Sequence, residues 1–196
     1  LLGWAGLGYY ARARNLHKCA RVIVDKYGGQ FPDHEAELLK LPGIGRYTAA
    51  AISAIAFGRP AAVMDTNVER VMARLHSVLE PLPACKPILY SHVSDMTPTF
   101  RPGDYAQAVM DLGATVCTVR KPKCGICPWI KRCQGKNMAE SIPLKGSKPK
   151  RQTRRGIAFW ITNPTGAVLL RRRPEKGLLG GMMEVPSTNW VEGALP

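Results

Sequence analysis

Residues 41–48, L-P-G-I-G-R-Y-T, narrow the folds open to this chain more than any other stretch. Pro42 has no backbone donor, and Gly43 and Gly45 can take positive φ and carry no Cβ. Two glycines around one apolar residue make a tight hairpin between helices. Leu41, Gly43, Ile44 and Gly45 then turn N–H groups outward at the start of a new helix, where unpaired donors and the positive end of the helix dipole suit a phosphate. Residues 46–57 read as that helix: Ala49, Ala50, Ala51, Ile52, Ala54 and Ile55 are small or apolar, and Gly58 closes it. Residues 33–40 read as the short helix before the hairpin, capped by Asp33. G-x-G by itself is common between helices, so a phosphate grip and a plain turn stand evenly here. Asp65, in V-M-D-T-N-V, opens a further predicted helix over 66–79. Asp is a preferred N-cap, and on residue chemistry alone the plain cap is favoured over a catalytic carboxylate.

The charge of the chain points to its partner. Its 196 residues carry 28 Lys and Arg against 14 Asp and Glu, a net charge of +14. That balance suits a polyanion, either nucleic acid or an anionic membrane surface. No apolar run approaches the ~20 residues of a membrane span, and no signal peptide is visible, so a cytoplasmic protein is expected. The chain starts without Met, inside what reads as a working motif, and stops at A-L-P. It is expected to be a fragment.

Around these motifs the pattern is helical. Near the start, Gly6, Leu7 and Gly8 repeat the G-x-G of the hairpin and predict a second backbone-gripping turn. Tyr9, just beyond, is placed to stack on or wedge between bases; Tyr10 is expected to pack inward. Residues 11–27 form a predicted helix with Leu16, Ala20, Ile23, Val24 and Tyr27 at helical spacing. Arg12, Arg14, Lys18 and Arg21 on its other faces are read as solvated first and as phosphate contacts second. Val68, Val71, Met72, Leu75 and Val78 make one stripe along 66–79. Residues 87–96 and 104–116 complete the helices. The four histidines show no ligand spacing.

Four of the six cysteines, Cys117, Cys124, Cys127 and Cys133, cluster as C-x6-C-x2-C-x5-C. Pro122, Gly125 and Pro128 keep the loop irregular, so four sulfurs can converge, and nothing suggests secretion. Four thiolates suit zinc or a 4Fe–4S cluster. Only one short C-x2-C knuckle is present, where zinc ribbons use two, so the spacing leans to iron–sulfur and leaves zinc open. Residues 145–155 follow as a basic linker. After Gly156 the pattern turns to β, with residues 157–162 and 167–171 joined by N-P-T-G, then a glycine-rich loop.

Taken together, G-L-G-Y-Y-A-R-A-R-N-L, L-P-G-I-G-R-Y-T, M-D-T-N-V-x-R-V, the cysteine loop and R-R-R-P-E-K-G-L-L-G-G-M-M-E-V-P resemble the MutY-type adenine DNA glycosylases of the helix–hairpin–helix superfamily. The resemblance implies a mainly α fold over residues 1–144 with a cluster loop at 117–133, the linker, and over 156–196 the truncated start of a nudix-like α+β domain. It implies excision of adenine opposite 8-oxoguanine or guanine in double-stranded DNA by a monomer using a 4Fe–4S cluster held by the four cysteines. By the same resemblance Asp65 is the catalytic aspartate, Asn67 and Tyr47 arrange the sugar and the attacking group, and Tyr9 is the wedge beside 8-oxoguanine.

Two departures stand out. The family's acid, a glutamate, lies upstream of the segment matching Leu1, so the 196-residue chain alone is expected not to excise adenine. Thr66 also stands where the family often has glycine. Endonuclease III-like relatives carry lysine at the position of Tyr47, and tyrosine forms no Schiff base, which implies a monofunctional glycosylase. An endonuclease III-like lyase and a non-catalytic DNA-binding module with a structural metal remain the competing readings.

Overall fold

A computed structural model of the chain describes residues 2–193 apart from 5, 148–151, 176 and 178. Lys148, Lys150 and Arg151 of the predicted linker, Lys176 and Leu178 of the glycine-rich stretch, and both chain ends lie outside the described residues. The chain divides into two compact units, Cys19–Ser147 and a smaller one of Leu1–Lys18 with Lys148–Pro196. The division falls inside the first helix, α1 (Tyr10–Tyr27).

The larger unit is helical, as the sequence predicts. It contains the end of α1, then α2 (Glu35–Leu38), α3 (Arg46–Ala51), α4 (Thr66–Leu75), α5 (Lys86–Met96) and α6 (Pro102–Thr115). Beneath the hairpin, Cys19 and Ile23 of α1 pack with Leu38, Leu41 and Ala49. Of the predicted stripe on α1, Ile23 and Tyr27 face this core, joined by Cys19 and Val22, while Leu16 is 60% and Val24 64% exposed. The main core joins Val68, Val71, Met72 and Leu75 of α4 to Leu89 and Val93 of α5, Val109 of α6 and Ile142.

Several ends differ from the sequence reading for local reasons. The helix α2 starts later than expected, with His34 as its N-cap. Asp33 has other partners. Its carboxylate pairs with Arg59, which holds its carboxyl below the ordinary range, and its carbonyl accepts from Ser53 Oγ at 2.9 Å. The predicted helix over 46–57 is α3 followed by a π-helical turn, Ile52–Ala56. The helix α4 stops four residues short of the prediction because Ser77 takes φ 51°. The Ser77 N–H then bonds the Arg74 carbonyl and Val78 N–H the Ala73 carbonyl, closing the helix in a Schellman turn. His76 and His92, from separate segments, stack with centroids 3.8 Å apart.

The helix α6 reaches its neighbours through glycines. A Cβ on Gly113 would sit 2.7 Å from Asn67 Cβ, and one on Gly103 would sit 2.6 Å from the Ala54 carbonyl and 2.8 Å from Ile55 Cα. The wide π turn brings that backbone against α6.

In the smaller unit, Trp4 Nε1 donates to the Gly8 carbonyl at 2.8 Å and Gly6 N–H to Tyr10 Oη at 3.3 Å. Gly6 and Gly8 take φ 83° and 67°, and Tyr9 follows at 48°. Two short antiparallel pairs lie beyond, β1 (Arg154–Arg155) with β4 (Val191–Glu192) and β2 (Arg171–Arg172) with β3 (Met183–Glu184). The predicted strands over 157–162 and 167–171 pair across their turn without a continuous ladder: Leu169 N–H bonds the Ile161 carbonyl at 2.9 Å and Asn163 N–H that of Ala167 at 3.0 Å, with isolated bridges from Thr162 to Val168 and from Ala158 to Ser187, and 167–171 joins a named strand only at Arg171. Their apolar residues, Trp160 at 73% exposure among them, have no second layer among the described residues. The predicted N-P-T-G turn is present, held by Asn163 Oδ1, which accepts from the N–H groups of Thr165 and Ala167. Arg14 also departs from its solvated reading: its guanidinium donates to the carbonyls of Gly180 (2.8 Å) and Glu175 (2.9 Å). Among the described residues no helix is long and apolar enough to cross a membrane.

The backbone contact at Gly103 gives the first prediction. Gly103→Ala forces α6 off the π turn and costs about 1–3 kcal/mol, as overpacking does, read as a fall of several degrees in Tm. An unchanged Tm would mean that the α6 contact is slack.

Candidate active site and cysteine centre

The hairpin forms because Leu41 is buried while both glycines are exposed. Gly43 takes φ 79°, where a side chain would be strained. Gly45, expected to share that freedom, is instead extended (φ −98°, ψ 176°) and is the N-cap of α3. Arg46 and Tyr47 occupy the exposed first turn of α3. The Tyr47 hydroxyl lies 3.6 Å from Met110 Sδ, and its ring lines an open cavity of about 270 Å³ together with Met64, the residue before Asp65.

Asp65 sits at the N-cap of α4 and uses its two oxygens differently. Oδ1 accepts from Asn67 N–H (2.9 Å) and Val68 N–H (2.8 Å), while Oδ2 accepts from Asn67 Nδ2 at 3.0 Å. The helix-cap reading of the sequence is thus present in the geometry, and it occupies one oxygen only. Asn67 Oδ1 in turn accepts from Arg70 Nη2 (2.9 Å), which fixes the amide with its nitrogen toward Asp65. Arg70 also donates to the carbonyls of Cys117 (2.8 Å) and Gly113 (2.6 Å). Burial, with Arg74 nearby, lowers the pKa of this guanidinium, which stays charged at any ordinary pH.

One turn later Arg74 is 1% exposed and has no carboxylate partner among the described residues. It meets the carbonyls of Ile142 (2.9 Å), Cys117 (3.2 Å), Thr118 (2.7 Å) and Val119 (3.2 Å), and Cys117 Sγ at 3.3 Å. The Arg74 carbonyl accepts from Gly135 N–H at 2.8 Å, and a Cβ on Gly135 would stand 2.5 Å from that oxygen. Arg74 therefore ties both ends of the cysteine loop to α4. The sequence reading assigns neither arginine a role, although Arg70 is the Arg of M-D-T-N-V-x-R-V; the signal in the residues is two arginines on the apolar side of an amphipathic helix.

Cys117, Cys124, Cys127 and Cys133 line one small cavity of about 30 Å³, with Arg74, Val116 and Ile130. Among the described residues no three side chains of ligand type converge closely enough for a single ion. A tetrahedral zinc needs sulfurs within about 2.3 Å of one point, whereas a polynuclear cluster takes one thiolate at each of its iron corners. Burial raises the Cys133 thiol, the Gly135 N–H opposes this, and the other three sulfurs add to the rise. The neutral thiol of Cys133 is therefore favoured. Four thiols around one cavity are a donor set that fits a 4Fe–4S cluster.

The smaller unit places Tyr9 80% exposed, with the Arg12 guanidinium 5.4 Å from its ring centroid. Gly6 and Leu7 are exposed beside it and Gly8 is half-buried.

Comparison with known proteins agrees with this architecture. Residues 26–55 match the helix-hairpin-helix motif, and residues 117–133 match the iron-sulfur binding domain of endonuclease III. The chain is similar to the structure of a thermostable thymine-DNA glycosylase, with 34% identity and a TM-score of 0.57 over 64% of this chain and 58% of that one. It is equally similar to endonuclease III in a non-covalent complex with DNA, with 32% identity and a TM-score of 0.57 over 68% and 61%. Fold and cysteine loop together define the chain as one of the helix–hairpin–helix DNA glycosylases with an iron–sulfur centre.

Sequence similarity narrows the class. The chain is 35% identical to human (Homo sapiens) adenine DNA glycosylase over 95% of its own length and 43% of the relative's. The adenine DNA glycosylase of Arabidopsis thaliana is 38% identical over 94% and 32%, and that of Buchnera aphidicola subsp. Baizongia pistaciae 33% over 89% and 50%. The chain belongs to the MutY-type adenine glycosylase family. It spans half or less of the length of these relatives.

Arg74 carries the prediction of this site. Lysine offers three donors on one nitrogen and cannot reach acceptors spread over four residues. Arg74→Lys is expected to cost roughly 3 kcal/mol through orphaned buried carbonyls, and to bleach iron–sulfur absorbance faster on exposure to oxygen. Thermal unfolding and the decay of visible absorbance check it.

Proposed function

We propose that the protein removes adenine mispaired with 8-oxoguanine or guanine from double-stranded DNA by hydrolysing its N-glycosidic bond. The observation that carries this reading is Asp65. Its carboxylate is fixed by Asn67 and the first turn of α4, and the residue before it, Met64, lines one cavity with Tyr47 of the helix–hairpin–helix unit. The bond cannot be reached inside the base stack, so the adenine must be flipped out. As the base leaves, C1′ of the sugar becomes cationic, and a preset carboxylate stabilises that charge without reorganising. Asn67 keeps the carboxylate turned, and Tyr47 shapes the wall beside the sugar.

Other assignments follow the same reading. The hairpin of Leu41, Gly43, Ile44 and Gly45 takes a backbone phosphate at its two exposed glycines, because the Leu41 and Ile44 N–H groups, expected to point outward, instead bond the Leu38 and Leu41 carbonyls. The turn of Gly6, Leu7 and Gly8 takes another, and Tyr9 wedges into the stack beside 8-oxoguanine. When bound, the 4Fe–4S cluster holds the 117–133 loop in its folded form. That loop carries Lys121, Lys123, Lys131 and Arg132 on its surface, a positive face for DNA. Residues 1–144 make the helical glycosylase domain, 145–155 the linker, and 156–196 the beginning of a nudix-like domain. The protein works as a monomer in the compartment that holds the DNA.

Two experiments on the full-length protein test this. Asn caps helices as well as Asp, so Asp65→Asn keeps α4 and removes only the charge. Single-turnover excision is expected to fall by about 10²–10³-fold or more, with DNA affinity within a few-fold. Near-normal excision would leave Asp65 as a cap and the chain as a binding module. Second, Tyr47 offers no amine, so borohydride should trap almost no covalent complex with cleaved DNA, whereas high-yield trapping would favour the endonuclease III-like lyase.

A further inference from the structure

The cavity beside Tyr47 carries more charge than the glycosidic step uses. Its lining includes Arg46, Tyr47, Met64, Glu69, Lys86 and Tyr90. Glu69 lies one turn after Asp65 on α4, and its side chain is only 9% exposed. A carboxylate so buried must be paired. Lys86, at the start of α5, meets Glu69 Oε1 with its Nζ at 2.7 Å while its own side chain stays 49% exposed. An ammonium has three donors, so the pair uses part of its capacity and leaves the rest facing the cavity. Arg46 directly follows the hairpin and has no acidic partner among the described residues. Two cations therefore face one anion, between two half-exposed tyrosine rings.

We propose that this cavity is a second phosphodiester seat on the strand whose adenine is excised. It takes the backbone phosphate adjacent to the one at the hairpin. Arg46 and Lys86 donate to its oxygens, Glu69 offsets one of the two cations, and Tyr47 and Tyr90 flank the attached sugar. A phosphodiester suits this lining because the surplus charge is a single positive one and the walls are aromatic. The proposal rests on the DNA-binding reading above.

The test is the salt dependence of binding by the full-length protein to a duplex whose mispaired adenosine resists hydrolysis. Each phosphate neutralised contributes about 0.9 to the slope of log K against log salt. Lys86→Gln and Arg46→Gln are each expected to weaken binding several-fold. The double variant should lower the slope by about 0.9, not by twice that, since both side chains serve one phosphate. Lys86→Arg should retain the wild-type slope. Because Lys86→Gln leaves Glu69 buried without its cation, Glu69→Gln/Lys86→Gln is measured beside it and should show the same loss, while Glu69→Gln alone should bind as tightly or more tightly. A wild-type slope in the Arg46→Gln/Lys86→Gln variant overturns the seat while leaving the DNA-binding reading intact. Failure of the wild-type protein to bind the duplex overturns that reading itself.

Discussion

A guanidinium sealed in a protein core without a carboxylate must find its counter-charge in dipoles. Arg74 does so by gathering carbonyls from Cys117, Thr118, Val119 and Ile142 and the sulfur of Cys117. Those acceptors come from chain that would otherwise wander, since residues 116–133 contain only one short 3-10 turn, Cys124–Ile126. The desolvation cost of the arginine is large, and it is offset only if the loop closes around it. Loop and helix α4 therefore fold as one object, and the same backbone groups that satisfy Arg74 set the Cys117 sulfur.

Arg70 extends that logic toward the other end of α4. It shares the Cys117 carbonyl with Arg74 and passes on through Asn67 to Asp65. Each partner is short of freedom: the amide of Asn67 is oriented by the guanidinium, and the carboxylate by the amide and two N–H groups. Gly113 allows this arrangement, since any Cβ there would strike Asn67. A site of this kind gains its precision from supporting bonds rather than from the reacting groups themselves.

Much of this was legible in the residues, for identifiable reasons. The hairpin could be read because Gly43 needs a backbone shape few residues tolerate, and the cysteines because thiol spacing is a chemical statement. Tyr9 was correctly expected outside. What escaped was whatever depends on distant partners. The end of α4 was misplaced because the apolar stripe continues through Val78 while Ser77 turns the chain left-handed. Asp33 does not provide the cap that its sequence position suggests, because its partner Arg59 lies 26 residues away. Arg70 and Arg74 went unassigned because charged residues are expected at a surface, and only the folded loop supplies the acceptors that bring them inside. The β-rich patterning past Gly156 describes faces that the described residues do not cover.

Capping and the catalytic role proposed for Asp65 need not compete. An N-cap carboxylate is frozen by helix N–H groups during folding, so its orientation is already fixed when a substrate arrives. Oδ1 meets both N–H groups and Oδ2 a neutral amide. Each oxygen has more than one acceptor site, which leaves lone pairs on Oδ2 for a neighbouring cation. A glutamate in the same place would cap poorly and carry an extra torsion, and a free aspartate would have to be ordered at the moment of reaction. The start of a helix is thus a good place for a group whose task is to stand still beside a developing positive charge, and the network from Arg74 to Asn67 is what keeps that helix start from shifting.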